Sequence, residues 1–256
     1  MKQRINEELA NIENMNHVKI LFAVESGSRA WGFPSQDSDY DVRFIYVHQK
    51  DWYLSIDAKR DVIERPIHES LDISGWELTK ALRLFRKSNP PLLEWLSSEM
   101  VYYEAFSLAE KMRKLRQRVF SPPACMHHYL NMASGNVRRE LQREQVKIKK
   151  YFYVLRPLLA CKWIETRQTV PPIEIRVLMD ELLEDGRLKT EILKLLERKK
   201  QGQEFQLEPQ HPVLLEFIKN EMKRLQPAAK ASKPNTEDLT PLLDRLFRET
   251  LDEVWA

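Results

Sequence analysis

Cysteine and glycine are both scarce in this chain of 256 residues, which holds two Cys and six Gly. Cys125 and Cys161 form no CxxC pair and have no closely spaced His, which argues against a disulfide scaffold or a zinc knuckle. The chain also lacks an apolar run of about 18 residues, so we expect no membrane span and no membrane partner. Its first fifteen residues lack the apolar stretch of a secretory signal. These absences predict a reduced, cytoplasmic protein.

The net charge is only +3, but it is unevenly spread. Residues 111–162 hold 13 Lys and Arg against Glu140 and Glu144, which gives a local charge of 13 − 2 = +11. A basic middle predicts a surface that prefers phosphates, such as those of RNA. The solvated side of a long helix is the alternative interpretation.

The first part of the chain alternates short apolar runs with helical stretches. Strands are predicted over residues 17–24, 42–47, 62–67 and 69–73, and a helix over residues 76–87. From about residue 108 the pattern is helical, with one long helix over 126–155, a kink or restart at Arg156-Pro157, and a flexible connector over 227–235. We therefore predict an α+β protein with a mixed-sheet domain (residues 1–107) followed by an all-helical domain (residues 108–256).

Two acidic residues stand at the start of a predicted strand in the stretch GSRAWGFPSQDSDYDVRFIYV, which begins at Gly27. Asp39 and Asp41 are two residues apart, so their side chains lie on one face, about 7 Å apart along the strand. Such like charges repel unless a positive group sits between them, and Mg²⁺ with oxygen ligands fits that need. Asp72, at a strand end, is the best candidate for a third ligand, with Glu64 and Glu69 as rivals.

The Gly-Ser-Arg sequence before these acids is typical of a phosphate-binding turn. Gly27 follows a predicted strand and lets the backbone approach a phosphate, and amides at a helix start attract anions. Ser28 offers a hydroxyl donor, and Arg29 offers a charge-assisted bond to a triphosphate. Taken singly, each motif is a common surface-turn pattern. The order of apolar strand, Gly-Ser-Arg, Ser-Asp-x-Asp and second strand is more specific.

A basic, aromatic cluster on the predicted long helix is the other candidate site. Lys149 and Tyr153 are four residues apart and Lys150 and Tyr153 are three apart, so each pair shares a helix face. A Lys with a Tyr hydroxyl could bind β- and γ-phosphates, and the Tyr ring could stack on a base. Alternatively, the aromatic residues here are core and the lysines are merely exposed. Because Arg138, Arg139 and Arg143 precede this cluster, we favour the interpretation as a phosphate-facing surface.

Three blocks carry a family resemblance: GSRAWGFPSQDSDYDVRFIYV, LDISGWELTKALRLFRKSNPPLLEWLSS and KKYFYVLRPLLACKWIE. They resemble the DNA polymerase beta nucleotidyltransferase superfamily, and within it the bacterial and phage nucleotidyltransferases associated with RNA repair. The resemblance implies a polymerase-beta-like palm domain whose substrate is a nucleoside triphosphate (NTP). It also implies two divalent ions, Mg²⁺ or alternatively Mn²⁺, held by Asp39, Asp41 and Asp72. The expected nucleotide-binding residues are Gly27, Ser28, Arg29, Ser38, Lys149, Lys150 and Tyr153.

The expected reaction moves NMP from an NTP to a hydroxyl, most plausibly an RNA 3′ end held by the basic helical region, and releases pyrophosphate. Two alternatives stay open. One is nucleotidylation of a partner protein's side chain. The other is a non-catalytic module that binds nucleotide or RNA through the basic helix.

Overall fold

A five-stranded mixed sheet organises the first part of the chain in the computed structural model, which describes residues 1–67 and 70–256. Its strands are β1 (Val18–Ser26), β2 (Tyr40–His48), β3 (Val62–Glu64), β4 (Leu71–Glu77) and β5 (Val101–Glu104), in the order β3-β4-β2-β1-β5. β2 and β4 run parallel, and the other neighbours are antiparallel. The helices here are α1 (Lys2–Asn16), α2 (Gly27–Ala30), α3 (Lys50–Tyr53), α4 (Leu78–Arg86), α5 (Pro90–Trp95) and α6 (Leu108–Val119). The predicted α+β class is confirmed.

The later part of the chain is mainly helical. Its helices are α7 (Pro122–Asn136), α8 (Ile148–Arg167), α9 (Ile175–Leu182), α10 (Arg187–Lys200), α11 (Pro212–Ala231) and α12 (Thr240–Trp255). A π-helical turn (Val137–Leu141), a 3-10 turn (Gln203–Phe205) and a short antiparallel ladder of β6 (Gln145–Lys147) and β7 (Leu207–Pro209) complete it. Among the described residues, no helix combines the length and hydrophobicity needed to cross a bilayer.

The chain forms two compact units. The first unit comprises Met1–Ala30, Asp39–Val119 and Thr236–Ala256, and the second unit comprises Trp31–Ser38 and Phe120–Asn235. These units differ from the predicted division after residue 107, because α6 packs on β1 and α12 packs on α4 within the first unit. Trp31–Ser38 belongs to the second unit, where the buried Phe33 ring lies 5.2 Å from the Phe152 ring.

One face of the sheet in the first unit is covered by α1. The apolar residues of α1 recur at helical spacing (Ile5, Leu9, Ile12) and share a core cluster with residues of β2 and β4, among them Val42 and Ile73. Because side chains alternate along a strand, the neighbours of these core residues point to the opposite face. This alternation directs the polar residues near the start of β2 and of β4 to that opposite face.

The start of α4 differs from the prediction. A helix was expected from Trp76, but β4 continues to Glu77 and α4 begins at Leu78. The Glu77 carboxylate caps the helix by accepting hydrogen bonds from Thr79 N (2.7 Å) and Lys80 N (3.2 Å). The predicted start of the preceding strand, Glu69, lies outside the described residues.

The predicted long helix over 126–155 is wrong, because α7 ends at Asn136 and α8 begins at Ile148. Residues 142–145 are all polar and exposed, so they offer no apolar face to a helix, and the following residues pair with β7 instead. The predicted break at Pro157 is also wrong, since α8 runs through it. A helical proline leaves the carbonyl four residues earlier without its donor, and the Asn136 side chain donates to that Tyr153 carbonyl at 3.4 Å.

The predicted flexible connector is wrong over its first five residues. It was expected over 227–235, but α11 continues through Pro227 to Ala231. Cys125 and Cys161 are both buried, and no disulfide joins them.

Candidate active site

The sheet register brings two of the predicted metal ligands side by side. β2 pairs in parallel with β4 so that Asp41 stands opposite Asp72, and Arg43 stands opposite Ser74. All four side chains therefore lie on the sheet face that faces away from α1. Asp39 comes one residue before β2 begins. Sequence spacing alone placed Asp39 and Asp41 on one face, whereas the proximity of Asp72 follows from the parallel pairing.

The turn of Gly27–Ala30 lies directly against Asp41. Ser26, the last residue of β1, is the register partner of Asp41, and α2 begins at the next residue. Gly27 has φ +61, and a Cβ built on it would lie 2.0 Å from Asp41 Oδ2. Glycine is required here because the Asp41 carboxylate occupies the space of a side chain. Ser28 is half-buried, and its hydroxyl has no hydrogen-bond partner among the residues that the structure describes.

Arg43 lies between the two paired carboxylates, a role that the sequence interpretation missed. Its Nη2 atom donates to Asp72 Oδ2 at 2.8 Å and is 3.4 Å from Asp41 Oδ1. Its Nη1 atom donates to the carbonyl oxygens of Val42 (3.0 Å) and Asp72 (3.1 Å). The guanidinium is thus fixed by four contacts and supplies the positive group that neighbouring carboxylates need. Its position two residues after Asp41 on the same strand is the signal that could have identified it.

The electrostatic environment of Asp41 favours a cation. Burial raises the pKa of Asp41 above its ordinary value, and the nearby carboxylates of Asp72 and Asp39 raise it further. Arg43 and then Arg29 act in the opposite direction and lower this pKa. The balance is an excess of negative charge on a partly buried group, which an added cation would relieve.

A buried acid, also missed by the sequence interpretation, holds the backbone at Asp41. Glu25 is fully buried, and its Oε1 atom accepts a hydrogen bond from Asp41 N at 2.9 Å. Its other carboxylate oxygen accepts a hydrogen bond from the Tyr102 hydroxyl. Burial raises the pKa of Glu25, while these hydrogen bonds lower it. An acid inside an otherwise apolar strand was the available signal, because such a residue is rarely buried without a partner.

Arg29 makes contacts within the first unit that fix the start of β2. Its guanidinium stacks 3.8 Å above the Tyr40 ring, and its Nε atom donates to the Asp39 carbonyl at 3.1 Å. Arg29 therefore links the Gly27–Ala30 turn to the backbone of Asp39 and to Tyr40, where β2 begins.

The predicted site residues of the second unit have their own local partners. The buried Ser38 hydroxyl accepts from Ser35 N at 2.9 Å. Lys149 Nζ lies 3.8 Å from the Phe205 ring centre, and burial lowers the pKa of Lys149. Lys150 forms an ion pair with Glu140 at 2.8 Å and lies 5.7 Å from the Tyr153 ring centre. The structure thus keeps Lys150 beside Tyr153 but directs Lys149 to Phe205.

The predicted basic region is divided between the two units. Four of its five residues on α6, in the first unit, form ion pairs, as in Arg113–Glu104 and Lys111–Glu249. In the second unit Arg156 is buried, whereas four basic residues stay exposed: Arg138, Arg139, Arg143 and Lys147. We call these four exposed residues the basic surface.

The carboxylates fit a hard divalent cation in chemical type, because Mg²⁺ prefers oxygen ligands. Asp41 and Asp72 stand in register, and Asp39 is close enough to raise the pKa of Asp41. Within the described ranges, however, no group of three His, Cys, Asp or Glu side chains is arranged to hold one ion. Arg43 occupies the space between Asp41 and Asp72, so one positive group is built into the protein itself.

Comparisons with known proteins agree with the motifs. The model of the RlaP family, described as an RNA repair pathway DNA polymerase beta family, matches residues 1–249. The "Uncharacterized protein YcgL" of Bacillus subtilis (strain 168) is 61% identical over 255 residues, covering 100% of this chain and 98% of that protein. The crystal structure of a nucleotidyltransferase-like protein from Exiguobacterium sibiricum 255-15 matches at 13% identity and a TM-score of 0.31, covering 99% of this chain and 80% of that one. A structural similarity this low carries no argument.

Proposed function

Because the chain belongs to the RNA repair pathway DNA polymerase beta family, we propose that it moves NMP from an NTP to an RNA 3′-hydroxyl and releases pyrophosphate. Membership points to a nucleotidyltransferase of the polymerase beta superfamily. The observation that carries the proposal is the in-register pair Asp41 and Asp72 beside the Gly27–Ala30 turn. In nucleotidyl transfer the attacking and leaving oxygens lie on opposite sides of the α-phosphorus. The enzyme must position both oxygens and stabilise the negative charge on each of them.

The chain's own residues have separate tasks in this reaction. Asp39 and Asp41, with Asp72, would supply the oxygen ligands of Mg²⁺ after their side chains turn towards one ion, because the described residues hold no ready group of three. When bound, Mg²⁺ neutralises charge on the attacking and leaving oxygens. Gly27 and Ser28 contact the triphosphate through the backbone and the hydroxyl.

Arg43 fixes the Asp72 carboxylate by the 2.8 Å bond, so that the acceptor hydroxyl meets an acid of set orientation. Arg29 holds the start of β2 and adds positive charge near the triphosphate. Ser38, Lys149, Lys150 and Tyr153 remain proposed nucleotide contacts of the second unit, each to be tested by its own substitution.

The RNA chain itself is proposed to bind the basic surface. Arg138, Arg139, Arg143 and Lys147 are exposed, and the structure gives none of them an ion pair with a described carboxylate. Unpaired surface guanidinium and ammonium groups are available to neutralise phosphates.

The test is incubation of the protein with Mg²⁺, RNA and each α-phosphate-labelled NTP in turn. We expect label in the RNA with the wild type, and none with Asp41→Asn. Asp37→Asn is the matched control, because Asp37 is an exposed acid in the segment just before β2 and the charge change is the same. Label that persists in the RNA with Asp41→Asn would refute the assigned role of this residue. Label in protein instead of RNA would favour protein nucleotidylation, and RNA binding without transfer would favour a binding module.

A further inference from the structure

We propose that a groove along the edge strand β3 binds the 3′-terminal nucleotide of a single-stranded polynucleotide acceptor, an inference that rests on the transfer proposed above. The groove has a volume of about 560 Å³, within the range of small-molecule sites. It lies wholly within the first unit. We call it the β3 groove, and its lining includes Arg43, Arg60, Arg65, Ile67, Asp72 and Ser74.

The β3 groove begins at the candidate active site. Glu64 of β3 pairs with Ser74, and Ser74 and Asp72 point to the same side of β4. Beyond β3, the Arg65 amide still donates to the Ile73 carbonyl at 3.1 Å, so the chain follows β4 back towards Asp72. A group bound in the groove therefore reaches the carboxylate that is proposed to meet the acceptor hydroxyl.

The charges of the β3 groove suit a phosphodiester. Arg43 is already held by Asp72 and Asp41, so the cationic groups that remain for a ligand are Arg60 and Arg65, opposite Glu64. The ion pair Arg60–Glu64 joins side chains that are 72% and 61% exposed, so it contributes little and exchanges readily for a phosphate.

Arg65 lines the groove with a guanidinium whose hydrogen-bonding capacity is only partly used. Its Nη2 atom contacts the Met15 sulfur at 2.8 Å, which is a weak acceptor. Its Nε atom is buried and has no hydrogen-bond partner among the described residues. A buried donor without a partner carries a free-energy cost. A phosphate oxygen would remove it once the guanidinium turns from Met15 of α1 into the groove, where a guanidinium matches phosphate in a two-bond geometry.

The remaining wall of the β3 groove is apolar. Ile67 is 67% exposed, and Pro66 precedes it. Exposed apolar surface next to cationic groups matches a nucleotide, which joins a flat base to a charged phosphate. An acceptor with a hydroxyl at Asp72 and a phosphate at Arg65 and Arg60 is the end of a polynucleotide strand.

The test compares the variant Arg60→Ala/Arg65→Ala with Arg245→Ala/Arg248→Ala. The control removes the same charge from exposed arginines of α12 in the same unit. Binding of short single-stranded RNA, linear or circularised with the same sequence, is measured over a series of salt concentrations. Binding of NTP by each protein and transfer of label to linear RNA are measured in parallel.

We expect the groove variant to bind linear RNA more weakly than the wild type and the control. Loss of two phosphate contacts to a single strand should make the slope of log K against log salt shallower by about 1.4. Circular RNA, which has no end, should bind both variants alike, and NTP binding should be unchanged.

The possible results separate this proposal from the transfer itself. Transfer to RNA with equal linear-RNA binding by the groove variant would overturn the β3 groove and leave the proposed function standing. Groove-dependent binding of linear RNA without any transfer would support the groove and refute the transfer. Equal effects on linear and circular RNA would overturn end recognition, as would transfer to protein alone.

Discussion

Replacing Gly27 by Ala should impair transfer far more than it impairs stability. The new Cβ would lie 2.0 Å from Asp41 Oδ2, against about 3.4 Å for ordinary contact, so the carboxylate must move by roughly 3.4 − 2.0 = 1.4 Å. A displacement of about 1 Å at a reacting group costs on the order of 100-fold in rate. The φ of +61 adds about 1–2 kcal/mol of backbone strain for a non-glycine residue. We therefore expect at least a 100-fold loss of label transfer to RNA and a modest drop in melting temperature.

Two other glycines separate these effects. Gly202 has φ +86 but no atom within 4 Å of a Cβ, so Gly202→Ala should show the strain without the loss of transfer. Gly186, with φ 173 and equally open space, should tolerate Ala without either effect. Thermal unfolding and single-turnover transfer are measured for all three variants. A Gly27→Ala protein with wild-type transfer would refute the placement of Asp41 against the Gly27–Ala30 turn.

Three further changes test the surrounding structure. Burial raises the pKa of Glu25 above its ordinary value of 4.5, so the folded state binds more protons than the unfolded state between the two pKa values. The free energy of unfolding, measured by urea titration, should therefore fall as pH rises from the ordinary to the raised pKa, and Glu25→Gln should lose this dependence. Parallel pH profiles for the wild type and the variant would contradict the prediction. Partial burial and Lys59 lower the pKa of His48 from 6.5 to about 4, so the free energy of unfolding should fall as pH drops between these values. His48→Phe, which keeps a ring on Trp52, should abolish that fall. An unchanged fall would argue against a neutral, half-buried His48. Asn136→Ala should lower the free energy of unfolding by about 1 kcal/mol, because it removes the hydrogen bond to the Tyr153 carbonyl. The cost should be smaller in a Pro157→Ala background, where residue 157 regains the amide that donates to this carbonyl. Equal costs in both backgrounds of the double-mutant cycle would exclude a compensating role of Asn136 for Pro157.

The elements that the sequence predicted well are those whose signal is local. α1, β1 and β2 carry their apolar periodicity within one stretch, and α12 does so between residues 240 and 255. β5 was missed because its four residues are half-buried or exposed, and its pairing with β1 is the feature that makes it a strand.

The same distinction applies to the candidate site. Asp39 and Asp41 were visible from spacing, because the period of a strand is local. Arg43 and Glu25 depend on cross-strand distances: the first on the parallel register of β2 and β4, the second on the antiparallel register of β1 and β2. The helix through Pro157 depends on Asn136, a donor from another helix. Local patterns mark Arg43 and Glu25 as unusual residues, but the partners that define their roles lie far away in the sequence, and a pattern along one segment does not encode them.

The most direct test of the central claim is transfer of α-labelled NTP to linear RNA by the wild type, Asp41→Asn and Asp72→Asn. The account predicts label at the RNA 3′ end with the wild type, and its loss in both variants while the Asp37→Asn control keeps it. RNA labelled equally by all four proteins would contradict the assignment of this acidic pair as the site of nucleotidyl transfer.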